Sequence, residues 1–164
     1  MEGRVIKYRD NNIDTDEIIP ACYLNTSDPK ELAKHCMEGL DRDFPAKVKE
    51  KSIMVAGRNF GSGSSREHAP IALKEAGIKC IIATSFARIF FRNAINIGLP
   101  VTECKEAVED LKEGDTVKVD IFEGKIDNLT RKRTYSISPF PSFLQKLIRE
   151  GGLDSYVKEK MKDE

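Results

Sequence analysis

The sequence predicts a single α/β domain, and two observations support that prediction. Short apolar segments alternate with amphipathic ones between residues 52 and 100, in the strand, helix, strand, helix order that gives parallel strands. The chain has 164 residues, enough for one full hydrophobic core and too few for two comfortable domains. One domain that spans residues 1–164 is therefore expected.

The N-terminal third is predicted to hold one strand and one helix. Residues 3–8 alternate with a period of two, which indicates a strand, and the polar stretch 9–16 indicates a loop. Asp28 is a typical N-cap and Pro29 suits the first helical position. The helix that follows is expected to end at about Met37.

In the rest of the chain, predicted strands and helices alternate up to residue 100, and a group of successive strands and then two helices follow. Apolar runs predict strands at residues 52–56 and 79–84, and periodic segments predict helices at residues 65–76 and 87–97. The C-terminal part predicts an antiparallel group and two helices: strands at 116–122, 125–129 and 133–137, a helix at 142–150 and a charged helix after Gly151 and Gly152.

Composition excludes several classes of partner. Lys+Arg and Asp+Glu number 27 each and are interleaved, so no basic field is available for nucleic acid. No apolar segment approaches the roughly 18 residues that span a bilayer, and the N-terminus lacks the pattern of a secretory signal. A cytoplasmic protein that binds neither membrane nor nucleic acid is expected.

The metal-ligating residues are few and scattered. The chain has four cysteines, none of them in a C-x-x-C pair, and two histidines. Clusters and zinc sites usually need closely spaced thiolates. We therefore expect no metal to be bound by this chain itself.

A glycine-rich segment, residues 59–69 (NFGSGSSREHA), lies between a predicted strand and a predicted helix. Gly61 and Gly63 allow positive φ angles and a close approach of the backbone to a ligand. Ser64 and Glu67 have the spacing of a capping box, which predicts that the helix begins at Ser64 or Ser65. Free N–H groups would then face the loop and favour an anion.

Two further side chains of this segment, Arg66 and His68, bear on the site, and the loop itself has a simpler interpretation. Arg66 supplies a planar fork suited to a carboxylate, and His68 is expected to cap the helix or support the site, not to bind metal. A G-x-G loop before a helix is also often only a tight turn. The segment lacks the G-K-[ST] of a phosphate loop, the serine position of a nucleophile elbow and the third glycine of a dinucleotide site.

The segment FGSGSSREHA resembles the signature of the swivelling domain of the aconitase superfamily. Three further blocks occur in family order: residues 14–20 (DTDEIIP), 85–90 (SFARIF) and 92–100 (RNAINIGLP). The resemblance covers roughly residues 3 to 155 of the chain. It implies a three-layer β/β/α swivelling fold. In short members this fold is a separate polypeptide that pairs with a large subunit carrying a 4Fe–4S cluster.

The resemblance also implies a reaction, the dehydration and rehydration of a hydroxy dicarboxylate. Ser64 would be the base that removes a proton from carbon, or alternatively a plain N-cap. Ser65 and Arg66 would grip a substrate carboxylate. Asp14, Thr15 and Asp16 would orient the loops of the site, although a polar turn explains them nearly as well. The supporting residues complete the expected site: Gly61, Gly63, Glu67 and His68.

Substrate choice is expected to lie in the loop at residues 21–26, where the family reads the substituent that differs between substrates. Its central residues are Tyr23, Leu24, Asn25 and Thr26, without an arginine for a third carboxylate. A branched alkyl group therefore fits best, which favours 3-isopropylmalate and leucine biosynthesis, with citramalate also possible. Homoaconitate is the alternative substrate, and Lys30 could reach its distal carboxylate.

Two interpretations outside this enzyme class stay open at the level of sequence. The glycine loop could serve a non-catalytic anion-binding module, which would bind its ligand without a partner. An RNA-binding role, known for full-length aconitase relatives, is disfavoured by the balanced charge.

Overall fold

The structure, a computed structural model, describes residues 1–163. Seven strands lie within the described residues: β1 (Glu2–Lys7), β2 (Ile53–Ala56), β3 (Cys80–Ala83), β4 (Val101–Glu103), β5 (Thr116–Asp120), β6 (Lys125–Asn128) and β7 (Arg133–Ser136). The same residues form eight α-helices: α1 (Thr15–Ile18), α2 (Pro29–Lys34), α3 (Phe44–Lys47), α4 (His68–Ala76), α5 (Arg88–Asn96), α6 (Lys105–Asp110), α7 (Ser142–Arg149) and α8 (Leu153–Lys162). A short 3-10 helix, Ala21–Tyr23, lies between α1 and α2.

The strands form one sheet in the order β4-β3-β2-β1-β5-β6-β7. The first four of these strands are parallel, and β5, β6 and β7 continue the sheet antiparallel from β1. In the parallel part, Met54 lies level with Ile6 on one side and with Ile81 on the other. The predicted parallel unit between residues 52 and 100 and the predicted antiparallel group are both confirmed.

The apolar side chains of the parallel strands point alternately into two cores, because successive residues of a strand face opposite sides of a sheet. Ile6, Met54 and Ile81 pack with the helices, in the cluster that includes Leu32 of α2 and Leu73 of α4. On the other face the packing is against the antiparallel strands and α6: Val5, Ile53, Val55, Cys80 and Ile82 meet Val117, Val119, Ile126, Tyr135 and Ala107. The expected β/β/α layering is confirmed.

Four details of the predicted elements were wrong or incomplete. Helix α4 begins at His68, not at Ser64 or Ser65, and α2 ends at Lys34, before Met37. Met37 has a positive φ of 61° and donates its N–H to the Ile18 carbonyl at 2.7 Å, so the chain turns there. The predicted loop at residues 9–16 ends two residues early, because α1 begins at Thr15, and α3, β4 and α6 were missed.

The parallel topology places the candidate site. Strands β1, β2 and β3 run in the same direction, so the loops that follow them emerge at one edge of the sheet. Those loops contain residues 8–14, 57–67 and 84–87. Among residues 1–163, no helix is long and apolar enough to cross a membrane.

Candidate active site

Backbone hydrogen bonds join the loop after β1 to the glycine loop after β2. The N–H of Asn12 donates to the Arg58 carbonyl, that of Gly61 to Ile13 and that of Thr15 to Ser62, each at 2.8 Å. The two segments run parallel, as adjacent strands would. This pairing aligns residues that are about fifty positions apart in the chain.

The pairing brings two hydroxyl groups together. The Thr15 Oγ1 atom lies 3.2 Å from Ser64 Oγ, where either can donate, and 3.4 Å from the Ser64 carbonyl oxygen. Thr15 is 2% exposed, whereas Ser64 is exposed. The Thr15 hydroxyl is therefore buried and fixed in position, and it faces a serine that is open to solvent.

Asp14 fixes the position of Thr15 by capping α1. Its carboxylate accepts the Glu17 N–H at 2.9 Å, and the Glu17 carboxylate accepts the Asp14 N–H at 2.9 Å. This is the reciprocal capping box. The sequence predicted such a box at Ser64 and Glu67, whereas the structure forms it at Asp14 and Glu17.

The start of α4 consequently differs from the prediction. Glu67 is the N-cap residue and makes no side-chain capping bond, so the plain N-cap role for Ser64 is wrong. Within residues 1–163, the backbone N–H groups of residues 63–67 make no intramolecular hydrogen bond. Five successive N–H donors at residues 63–67 without an intramolecular partner favour negative charge near Ser64.

Gly61 supports the loop from below through a contact that no larger residue permits. Its φ is +81°, and an added Cβ would lie 2.2 Å from Phe90 Cγ. The ring of Phe90 packs edge-to-face on Phe60, with ring centroids 5.2 Å apart, and stacks with Phe86. A cluster of phenylalanine rings therefore packs under the glycine loop and fixes the distance between the loop and α5.

Arg66 has its guanidinium group tied to α1. Its Nη1 atom donates to Asp16 Oδ1 at 3.0 Å and to the Ile19 carbonyl at 3.3 Å. The hydrogen bond from Arg66, together with the one from the Ala21 amide, lowers the pKa of Asp16 below its usual value. Asp16 is thus an ionised group that links Arg66 to the beginning of the predicted substrate loop, residues 21–26.

Not all predicted substrate-loop residues face solvent. Tyr23 and Leu24 are partly buried against the helical core, and Thr26 Oγ1 accepts the Asp28 N–H at 3.2 Å. Asn25 is the exposed one of the four. The loop is therefore a compact turn that presents Asn25, with Leu24 folded inward.

The remaining predicted residues lie around the loop. Gly63 has a φ of +94°, and a Cβ added there would lie 3.4 Å from Thr15 Oγ1 and 3.5 Å from Asp14 Cβ. Ser65 and Glu67 are exposed. His68 is half-buried at the first position of α4. The structure thus brings the glycine loop, the Asp14–Asp16 segment and the beginning of the substrate loop together.

Two contributors were missed by sequence reasoning, Asn12 and Asn59. Both adopt positive φ, 57° and 55°, and the Asn59 side-chain amide donates to Asn12 Oδ1 at 3.0 Å. Asparagine tolerates this conformation better than other residues with side chains. The asparagines in the loops after β1 and β2 could therefore have indicated these two turns from the sequence.

The cysteines do not fit an iron–sulfur cluster. Cys36, Cys80 and Cys104 are buried, Cys22 is exposed, and burial raises the pKa of the Cys80 thiol to about 12. Among residues 1–163, no three Cys, His, Asp or Glu side chains are grouped so that they could hold a metal ion.

Comparison with known proteins establishes the family. The Aconitase C-terminal domain family matches residues 1–106, which is more than half of the chain. The chain belongs to this family, and the predicted resemblance is confirmed.

Three similar proteins carry the name of one enzyme, 3-isopropylmalate dehydratase. The 3-isopropylmalate dehydratase small subunit of Caldanaerobacter subterraneus subsp. tengcongensis is 62% identical over 99% of this chain and 100% of its own length. That of Halothermothrix orenii is 60% identical over 96% of this chain and 95% of its own. The crystal structure of 3-isopropylmalate dehydratase from Methanocaldococcus jannaschii has a TM-score of 0.88 at 46% identity, covering 98% of this chain and 94% of that one.

The contact between Gly61 and Phe90 predicts a position-specific loss of stability. Gly61→Ala combines an unfavourable φ with a clash and should lower the free energy of unfolding by roughly 2–4 kcal/mol. Gly63→Ala is the matched control. The φ of Gly63 is also positive, but a Cβ added there would lie 3.4 Å from its nearest neighbouring atom, which is an ordinary contact. This substitution should cost roughly 1 kcal/mol. Urea unfolding measures both, and equal losses would contradict the proposed close contact.

Proposed function

We propose that this chain is the small subunit of a 3-isopropylmalate dehydratase, which interconverts 2-isopropylmalate and 3-isopropylmalate by dehydration and rehydration in leucine biosynthesis. The observation that carries the proposal is identity of about 60% over the full chain to small subunits of that name. The site agrees with a hydro-lyase, since an exposed serine is held beside a buried hydroxyl and free N–H donors.

The chain is expected to act only with a large subunit. Ser64, Ser65 and Gly63 lie exposed at the sheet edge, whereas a dehydratase must enclose its substrate to exclude water. A 4Fe–4S cluster in the large subunit would supply Lewis-acid activation of the leaving hydroxyl. The small subunit contributes the other half of the site.

Ser64 is proposed to be the base that takes the proton from the carbon next to a carboxylate. A serine hydroxyl ionises only where donors stabilise its alkoxide. The Thr15 hydroxyl at 3.2 Å and the free N–H groups of residues 63–67 are such donors. The same groups would hold the alkoxide until it accepts the carbon-bound proton.

Arg66 and Ser65 are proposed to bind a substrate carboxylate. Because Asp16 and the Ile19 carbonyl both use Nη1, the carboxylate would be bound by the remaining donors of the guanidinium. The Asp16 contact holds the fork in one orientation, which lowers the entropy lost on binding. Asp16 and Asp14 therefore orient the site without binding substrate.

Ser64→Ala tests the role of the base. In the complex with the large subunit, turnover should fall roughly a thousandfold or more, because no other group on this chain takes its place. Ser62→Ala is the control, since it lies in the same loop and its hydroxyl makes only a 3.4 Å contact with the Asn12 carbonyl. It should retain turnover within about twofold. Equal turnover in the two variants would remove Ser64 from the chemistry.

A substrate panel tests the proposed activity itself. The complex, purified without oxygen, should act on isopropylmalate and citramalate and leave homoaconitate unconverted, because the inward Leu24 and the uncharged Asn25 offer no partner to the third carboxylate of homoaconitate. The assay measures turnover on isopropylmalate, citramalate and homoaconitate. Exclusive activity on homoaconitate would contradict the substrate assignment. Ligand binding by this chain alone, with no activity in the complex, would indicate an anion-binding module.

A further inference from the structure

The substrate loop has a second anchor, on the side away from the glycine loop. The ring of Tyr23 stacks on the imidazole of His35, with ring centroids 3.8 Å apart and planes inclined by 7°. His35 Nδ1 lies 3.0 Å from Glu38 Oε2. The nearby Glu38 carboxylate raises the pKa of the Tyr23 phenol to about 12, and Tyr23 and His35 together lower the pKa of the Glu38 carboxyl. Tyr23, His35 and Glu38 therefore form one connected group.

The turn that carries His35 and Glu38 is rigid. Between them lie Cys36 and Met37, which are 1% and 0% exposed. The Met37 N–H bonds to the Ile18 carbonyl at the end of α1, at 2.7 Å. These buried contacts make residues 35–38 a platform for the loop, which we call the His35 platform.

The His35 platform packs directly on the helix that orients the catalytic loop. A Cβ added at Gly39 would lie 2.9 Å from the Glu17 Cα atom and 3.1 Å from the Asp16 carbonyl oxygen. Only glycine allows the backbone to approach α1 this closely. The platform and the Asp14–Asp16 segment are thus packed directly against each other.

The substrate loop is consequently held at two points. At its beginning, the Ala21 N–H donates to Asp16 Oδ1 at 3.0 Å, and the same oxygen accepts from Arg66. Two residues later, Tyr23 lies on His35. Leu24 and Asn25 follow immediately, so the second anchor sets where these two side chains lie relative to Arg66.

We propose that His35, which lies within hydrogen-bond distance of Glu38, is a positioning residue that holds the substrate loop through Tyr23 and thereby sets substrate affinity and discrimination. This inference rests on the proposed function and adds to it a determinant outside the loop. His35 does not need to touch substrate. Loosening the loop should raise KM, because the ordering now built into the fold would have to occur on binding.

The test compares three variants in the complex with the large subunit. His35→Ala removes the stack and should raise KM for isopropylmalate roughly five- to tenfold with kcat within about twofold, in line with the worth of an aromatic pair. His35→Phe keeps a stacking ring and should restore KM to within about threefold of the wild type. Lys34→Ala is the control, an exposed neighbour paired only with Glu31, and should leave KM unchanged.

A second measurement reports the anchor without any turnover. The chain has no tryptophan, so Tyr23→Trp places a single fluorescent probe at the stack in the isolated full-length chain. Acrylamide should quench it more strongly once His35→Ala is added, and not with Lys34→Ala. Unchanged quenching would overturn the anchor.

The outcomes separate the two proposals. A wild-type complex inactive on all three substrates, with quenching that still depends on His35, would refute the proposed function alone. An active complex in which His35→Ala leaves KM unchanged, or in which His35→Phe fails to restore it, would overturn the positioning role. Urea unfolding of each variant verifies that the compared chains are folded.

Discussion

The site depends on the backbone pairing between residues 12–15 and 58–62. Three hydrogen bonds of 2.8 Å align the loops after β1 and β2, and they set the distance between the Thr15 and Ser64 hydroxyls. The two paired loops follow β1 and β2, which are themselves adjacent parallel strands of the sheet. A rigid scaffold thus positions loops that, alone, would sample many conformations.

Around this pairing, neighbouring elements each restrain one side of the glycine loop. Phe90 of α5 supports Gly61 from below, and Asp16 of α1 holds Arg66 to one side. The outer side of the loop stays exposed, with its N–H donors free. Exposed N–H donors of this kind favour the binding of an anion, and the open surface leaves room for a second subunit to cover it.

Periodicity and turn residues were enough to predict the parallel unit, the antiparallel group and the helices after Asp28 and Pro141, because these elements reflect local preferences. The beginning of α4 could not be predicted in the same way. Ser64 and Glu67 have the spacing of a capping box, yet the pairing with residues 12–15 draws Ser64 away from the helix. A long-range interaction outweighed a local one of about 1 kcal/mol.

The candidate site shows the same limit. The family resemblance pointed to Ser64, Ser65 and Arg66 as candidates, whereas the pairing of Arg66 with Asp16, fifty residues away, required the fold. The most direct test is Thr15→Val, an isosteric change that removes the hydroxyl beside Ser64, assayed as kcat in the complex against Thr15→Ser. The account predicts roughly a hundredfold loss for Thr15→Val and near-normal turnover for Thr15→Ser. Full turnover in a folded Thr15→Val complex would contradict it.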